Sequence, residues 1–185
     1  MQFKKNPTGI LYEGSSGIWQ TVWLEGAPAA YIRHLELVPD LDSSALLVTA
    51  NGSELAQGRL VAAIMIDPTS NTVVAASYGQ ASNEFQVTIS SPQLWTPDNP
   101  FLYPVSIQLL DVDVSTTPTL PAAGTPAEGL VLPGAIDIVQ AYTGMRKASK
   151  CRDSRGIVRF CLNNIPTFLY GRHLPHHAHL AIIHA

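Results

Sequence analysis

Two places in this 185-residue sequence contain carboxylates that can be considered for acid–base chemistry. Asp111 and Asp113 are two residues apart, so a strand would place both carboxylates on one face. Glu84 follows Asn83 at the start of a segment in which apolar and polar residues alternate. Carboxylates at such positions are ordinary solvated groups on the wet face of a sheet. We therefore predict no catalytic residue in this chain.

Histidine and cysteine could provide metal or redox chemistry near the C-terminus. Five of the six histidines lie at 173, 176, 177, 179 and 184, and His176, His177 and His179 are spaced to chelate a metal. The composition of residues 172–185 nevertheless favours an unrelated, His-rich tail without a fold, so no metal and no cofactor are predicted. Cys151 and Cys161 are too few for a disulfide framework. Two buried reduced thiols are favoured, with a disulfide as the alternative.

Composition and charge exclude several classes of protein. The net charge of −3 argues against a nucleic-acid partner and against a polybasic membrane anchor. The longest uninterrupted apolar run, Leu60–Ile66, is far shorter than the ~20 residues that span a bilayer. No apolar stretch follows the charged residues near Met1, so no secretory signal is predicted. We expect a soluble chain without a membrane partner, cytoplasmic if Met1 is its true start.

Period-two hydrophobic patterns dominate the middle of the chain, as in half-buried strands. Turn residues separate the strands at short intervals, which predicts an all-β, antiparallel β-sandwich. The strands are predicted at Tyr31–Val38, Ala45–Ala50, Leu60–Ile66, Phe85–Ile89, Val105–Leu109 and Ile136–Tyr142. The predicted core consists of Leu35, Leu37, Leu47, Ile64, Val87, Ile89, Ile107 and Leu109.

Three regions do not fit one compact sandwich. A separate strand is predicted at Gly17–Glu25, ahead of the Gly26-Ala27-Pro28 linker. Residues 115–134 are rich in Pro, Ala, Gly and Thr, which predicts a flexible surface loop or a disordered insertion. A hairpin is predicted with strands at Ile157–Leu162 and Ile165–Tyr170. Its turn is Asn163–Asn164, because Asn tolerates the positive φ that a two-residue turn requires.

Four segments resemble those of glycoside hydrolase family two, which contains β-galactosidases, β-glucuronidases and β-mannosidases. Ser16–Glu25 resembles the segment that closes the family's sugar-binding β-domain. Pro92–Tyr103 resembles its Leu-Trp-x-Pro-x-x-Pro-x-Leu-Tyr motif, and Ala141–Lys147 resembles its Ser-Tyr-Phe-Gly-Met-Arg-Lys string. Gly156–Gly171 resembles the first hairpin of the family's catalytic barrel. The four segments occur in the family's order.

The resemblance implies a division of the chain into four parts. Residues 1–25 would be the last strands of a truncated sugar-binding domain, an incomplete jelly roll. Residues 26–150 would be the family's immunoglobulin-like sandwich, including the 115–134 loop. Residues 151–171 would be the first hairpin of the barrel, and residues 172–185 an unrelated tail. In the sandwich, the rings of Trp95, Phe101 and Tyr103 are expected to close one end, with Tyr103 tying a turn to a strand.

The resemblance also implies the chemistry of the family, which hydrolyses glycosides through two Glu about 5–5.5 Å apart. In the family both stand on late strands of a (β/α)₈ barrel, and only 14 residues follow Gly171 here. Asn83–Glu84 imitates the family's acid/base pair but is expected on a sandwich strand. We therefore expect a truncated family member without its catalytic barrel, inactive alone. The abrupt loss of resemblance after Gly171 is interpreted as a frameshift, mis-splicing or an early stop.

Two alternatives from other functional classes stay open. The first is a non-catalytic carbohydrate-binding module, with carbohydrate as the partner. In it, Tyr12 or Trp19 would stack on a sugar ring and Glu13 would accept hydrogen bonds from hydroxyls. The second is a structural or interaction sandwich that self-associates through exposed strand edges.

Overall fold

The computed structural model describes residues 17–18, 20–22 and 24–168. From Ala27 onward these residues form one compact unit, and those before Ala27 belong to another. Within the described residues, no helix is long and apolar enough to cross a membrane. The strands are β1 (Ile32–Asp40), β2 (Ala45–Gly52), β3 (Arg59–Asp67), β4 (Thr72–Gln80), β5 (Glu84–Thr88), β6 (Tyr103–Asp113), β7 (Ala135–Thr143), β8 (Ala148–Arg152), β9 (Val158–Leu162) and β10 (Ile165–Pro166).

Seven strands pair into two antiparallel sheets. The first sheet has the order β1–β2–β5, and the second has the order β4–β3–β6–β7. Their inner faces share one core, which includes Leu46, Val48, Val61, Met65, Val87, Ile107 and Leu109. The predicted all-β, antiparallel, immunoglobulin-like sandwich is confirmed, and the six predicted strands are all present.

Most of the predicted core residues are buried, but Leu47 lies on the face of its strand opposite to the predicted one. Val87, Ile89, Ile107 and Leu109 are in the shared core, and Leu35 and Leu37 pack against it. Leu47 is only half-buried and lies on the outer face of the first sheet. The run Leu46-Leu47-Val48 is apolar throughout, so its alternation does not choose a face. Pairing of Leu46 with Val87 and of Val48 with Phe85 turns Leu46 and Val48 inward.

The outer face of the second sheet carries a second apolar cluster, which contains the predicted core residue Ile64. The cluster also includes Leu60, Ala62, Val73, Leu110 and Leu132. Because β3 is apolar from Leu60 to Ile66, both of its faces need a cover. The connection from β6 to β7, residues 114–134, supplies the outer cover, with Leu120 and Leu130 packed on the cluster. We call this connection the strap.

Hydrogen bonds fix the strap in its middle and near its C-terminal end. The backbone N–H of Val73 donates to the carbonyl of Thr125 at 2.8 Å, and that of Gly124 donates to the carbonyl of Val73 at 2.8 Å. Gln108, fully buried in β6, donates from Nε2 to the carbonyl of Leu130 at 2.9 Å. Its Oε1 accepts the N–H of Leu132 at 2.8 Å. These bonds pack the strap against the second sheet.

The Gln108→Leu variant should detach the strap near its C-terminal end. Leucine has a similar volume but leaves the carbonyl of Leu130 and the N–H of Leu132 without partners, at a cost of about 2–4 kcal/mol. Urea unfolding should show that loss, and limited proteolysis should cut within the strap faster. The matched control is Gln86→Leu on the exposed face of β5. Equal stability of the two variants would contradict the anchoring role of Gln108.

Tyr103 ties the connection between β5 and β6 to the sandwich. It is buried, and its hydroxyl accepts the backbone N–H of Gln93 at 2.7 Å. The rings of Phe101 and Tyr103 meet edge to face, with centroids 4.8 Å apart. The predicted tie between this tyrosine and the preceding turn is thus present.

The Tyr103→Phe variant should lose about 1–1.5 kcal/mol of unfolding free energy, because only the hydroxyl and its hydrogen bond are removed. Tyr142→Phe is the matched control, since Tyr142 is 58% exposed on β7. Chemical denaturation of both variants checks the prediction. A Tyr103→Phe midpoint indistinguishable from that of the control would mean that the bond to Gln93 adds no stability.

Strand β4 was absent from the sequence-based prediction because small residues interrupt its apolar pattern. These residues serve packing: a Cβ on Gly79 would lie 2.6 Å from the ring of Phe85. For the strand predicted at Gly17–Glu25, the described residues of that range are in no strand. Val22 and Leu24 are exposed there.

The C-terminal hairpin is part of a three-stranded antiparallel sheet, β10–β9–β8, which we call the hairpin sheet. Its two-residue turn is Asn163–Asn164 with φ of 53° and 66°, as predicted. The preference for reduced thiols was wrong, because Cys151 and Cys161 form a disulfide between β8 and β9. The missing information was strand β8, which places Cys151 beside the strand of Cys161, with Cα atoms 5.8 Å apart.

Candidate functional site at the sandwich–hairpin junction

Three segments of the chain meet where the second sheet ends and the hairpin sheet begins. The loop before β6 supplies Trp95, the segment after β7 supplies Met145 and Arg146, and the β9–β10 turn supplies Asn163. We call these four residues the junction cluster. They come from the second, third and fourth of the segments singled out in the sequence, so the fold brings distant motifs into one place.

Backbone contacts between the first two segments form the base of the cluster. The N–H of Trp95 donates to the carbonyl of Met145 at 2.9 Å, within a parallel bridge between Leu94 and Met145. Met145 is fully buried. A Cβ on Gly144 would lie 3.1 Å from Cβ and Cδ1 of Trp95. Glycine at 144 therefore allows the two segments to approach this closely.

Asn163 joins the hairpin sheet to that base. Its Nδ2 donates to the carbonyl of Trp95 at 3.0 Å, and its Oδ1 accepts the N–H of Lys147 at 2.9 Å. Its own N–H donates to the carbonyl of Lys147 at 2.8 Å. The side chain of Asn163, a residue with positive φ, thus bonds both the loop before β6 and the segment that leads into β8. We interpret Asn163 as the residue that orients the hairpin sheet on the sandwich.

Two cations complete the junction. The guanidinium of Arg146 lies over the ring of Trp95, 4.8 Å from its centroid, in cation–π geometry. The ammonium of Lys147 pairs with a carboxylate oxygen of Asp42 in the β1–β2 turn at 2.5 Å. The junction holds hydrogen bonds, one stacked cation and one ion pair, but the residues described there include no carboxylate pair or nucleophile. Its arrangement is suited to positioning rather than to proton transfer.

The Asn163→Asp variant should weaken the attachment of the hairpin sheet. Aspartate keeps the acceptor for Lys147 and tolerates positive φ, but it cannot donate to the carbonyl of Trp95. We expect a loss of about 1–2 kcal/mol at pH 7, together with faster amide exchange in β9 and β10. Asn164→Asp is the matched control, because Asn164 has φ of 66° in the same turn and is exposed. If both variants exchange alike, the donor of Asn163 does not anchor the sheet.

The sequence-predicted binding residues Tyr12, Glu13 and Trp19 lie outside the described residues, and so does the His-rich tail. The carboxylates singled out for chemistry are described and are all exposed. Asp111 is paired with Arg59. Hydrogen bonds from Ser115, chiefly from its hydroxyl and next from its backbone N–H, lower the pKa of Asp113 below its ordinary value. Both Asp are thus surface groups serving an ion pair and a turn.

Other sites offer little for a ligand. Among the described residues, no three His, Cys, Asp or Glu are grouped to hold a metal ion. An open depression of about 400 Å³ contains Arg59, Asp111 and Asp113. A narrower one of about 150 Å³ lies between the strap and the outer face of β7. The sequence analysis missed the roles of Asn163 and Arg146. The signal that could have revealed them is that both residues lie within segments that resemble the family, Arg146 in the third and Asn163 in the fourth.

Comparison with known proteins supports the family resemblance. Residues 30–119 match the profile of the family described as glycosyl hydrolases family 2. A search of the curated proteins found no match. The resemblance inferred from the motifs is therefore confirmed, over the part of the sandwich from just before β1 to within the strap.

Solved structures of two glucuronidases share this fold. The β-D-glucuronidase of Dictyoglomus thermophilum aligns with a TM-score of 0.51 and 23% identity, covering 78% of this chain and 19% of that one. The β-glucuronidase of Ruminococcus gnavus, in its apo form, aligns with a TM-score of 0.53 and 18% identity, covering 78% and 20%. The chain thus spans about a fifth of the length of these neighbours.

Proposed function

We propose that this chain, with the sandwich of glycosyl hydrolases family 2, is the scaffold portion of a β-glucuronide hydrolase. The observation that carries the proposal is the junction cluster. Segments that resemble the family in sequence converge on Trp95 and Asn163 and fix the hairpin sheet to the sandwich. In the family, that hairpin is the first element of the catalytic barrel, so a rigid junction would set the position of the barrel.

The substrate class rests on the structural neighbours. Both are named for the hydrolysis of β-glucuronides, and the chain corresponds to about a fifth of each. The proposed activity therefore belongs to a longer protein of carbohydrate metabolism in which this sandwich is one part. The carboxylates of the described sandwich support a non-catalytic role, because Glu84, Asp111 and Asp113 are exposed on strands or turns rather than opposed across a cleft.

The 185-residue chain alone should not turn over nitrophenyl β-glucuronide, β-galactoside or β-mannoside above the buffer rate. The reason is that retaining hydrolysis needs two carboxylates about 5–5.5 Å apart on either side of the bond. Release of nitrophenol, assayed on protein purified to homogeneity, checks this. A rate that persists through purification and disappears in Glu84→Gln would overturn the scaffold assignment.

A second measurement tests whether the chain belongs to a longer protein. Intact-mass analysis of the endogenous product should find a polypeptide well above 19.9 kDa that contains peptides of this sequence. The longer product should hydrolyse nitrophenyl β-glucuronide faster than the other two substrates. A product of 19.9 kDa alone would contradict the proposal, and a different substrate preference would overturn only the glucuronide assignment.

A further inference from the structure

Charge is segregated along this chain in a way that the net value of −3 conceals. Residues 27–145, the sandwich, contain eleven Asp and Glu and two Arg, a net charge of −9. Residues 148–166, the hairpin sheet with its turns, contain four Lys and Arg and one Asp, a net charge of +3. The hairpin sheet is thus a cationic element attached to an acidic body. Opposite charges on two parts of one chain make two copies of it electrostatically complementary.

One face of the hairpin sheet combines this charge with uncovered apolar surface. In an antiparallel pair, opposed residues share a face, so Lys150 pairs with Phe160 and Arg152 with Val158 on the same side. Val158 and Ile165 are 53% and 66% exposed, and Lys150 and Arg152 are exposed beside them. We call this the cationic face; its members are Lys150, Arg152, Val158, Phe160, Leu162 and Ile165.

The opposite face of the hairpin sheet is occupied by interactions within the sheet. Cys151 and Cys161 form the disulfide there, and Arg159 pairs with Asp153 at 3.0 Å. The N–H of Ile157 and then the guanidinium of Arg159 lower the pKa of Asp153 below its ordinary value. The disulfide joins β8 to β9, so the alignment of Lys150 and Arg152 with the apolar residues of β9 is covalently fixed.

The outer face of the first sheet has the complementary character. Register places Glu36 and Glu84 on either side of Thr49, and Val38 beside Leu47 in the next row. Glu36 and Glu84 are exposed, Val38 is 42% exposed and Leu47 is half-buried. We call this the acidic face; its members are Glu36, Val38, Leu47 and Glu84. The half-exposed position of Leu47, unexpected from the sequence, gives this face its apolar centre.

We propose that the cationic face of one copy of the 185-residue chain docks on the acidic face of a second copy. The inference concerns this chain by itself and does not rest on the proposed function, because a domain that followed the hairpin sheet would compete for the same face. Val158, Phe160 and Ile165 would cover Val38 and Leu47, while Lys150 and Arg152 would pair with Glu36 and Glu84. Lys150 and Arg152 are about 7 Å apart along β8, and the two carboxylates are about 10 Å apart across two strand spacings. The long cationic side chains span that difference. The two faces are different surfaces, so the contact is head-to-tail, and assembly grows with concentration instead of stopping at a symmetric dimer.

The test is light scattering and sedimentation of the 185-residue chain over a range of concentrations in low salt and in 0.5 M salt. The mass should rise above 19.9 kDa with concentration in low salt and fall back in high salt. Lys150→Glu/Arg152→Glu should raise the dissociation constant by about tenfold or more, since two attractive pairs become repulsive. Lys150→Glu alone should weaken association, whereas Arg33→Glu, the same change at an exposed cation of β1, should not.

Mixing two variants identifies the two faces. Lys150→Glu/Arg152→Glu and Glu36→Lys/Glu84→Lys should each stay monomeric, and an equimolar mixture should associate, because each face then meets one of opposite charge. Circular dichroism and the disulfide-intact mass verify that both variants are folded. A wild-type monomer at all concentrations, or a mixture that stays monomeric, would overturn the proposal. Binding of monomeric wild type to an anionic polysaccharide, lost in Lys150→Glu/Arg152→Glu, would also overturn it and assign the face to that ligand.

Discussion

The fold depends on burying both faces of β3. A strand that is apolar from Leu60 to Met65 cannot leave either side in water, so it needs two covers. The first sheet covers one side through Val48 and Val87, and the strap covers the other through Leu132. Gln108 makes the second cover possible, because its buried amide provides the partners that irregular backbone would otherwise lack.

The same need for partners explains the junction. The hairpin sheet has three short strands, and among its described residues only Cys161 is fully buried, so its apolar packing alone is too small to fix its orientation. The disulfide holds β8 against β9. The side chain of Asn163 bonds the hairpin sheet to the backbone of Trp95, before β6, and of Lys147, before β8. A few specific bonds thus replace a core where the chain leaves the sandwich, as the scaffold role proposed above requires.

The sequence was sufficient where alternation and turn chemistry agreed, and it failed where tertiary contacts decided. β5 and the Asn163–Asn164 turn were predictable because each carries its own local signal. The face of Leu47 was not, because an apolar run gains its direction only from pairing with β5. The disulfide required knowledge of β8, and the role of Asn163 required knowing that Trp95 is its neighbour. The junction was therefore visible as separate motifs but not as one site.

The location of the cationic residues follows from what surrounds them. In the sandwich, acidic side chains can stand on outer faces and turns, where Ser43 and Ser115 hydroxyls and nearby N–H groups lower the pKa of Asp40 and Asp113. In the hairpin sheet, N–H groups of the β8–β9 turn lower the pKa of Asp153 in the same way, and the cations Lys150 and Arg152 sit beside uncovered Val158 and Ile165. Lysine and arginine suit that position, because their long aliphatic stems lie along apolar surface while the charge stays in water. The hairpin sheet can thus remain attached to the sandwich and still offer an apolar surface, flanked by cations, to the acidic face of a second copy.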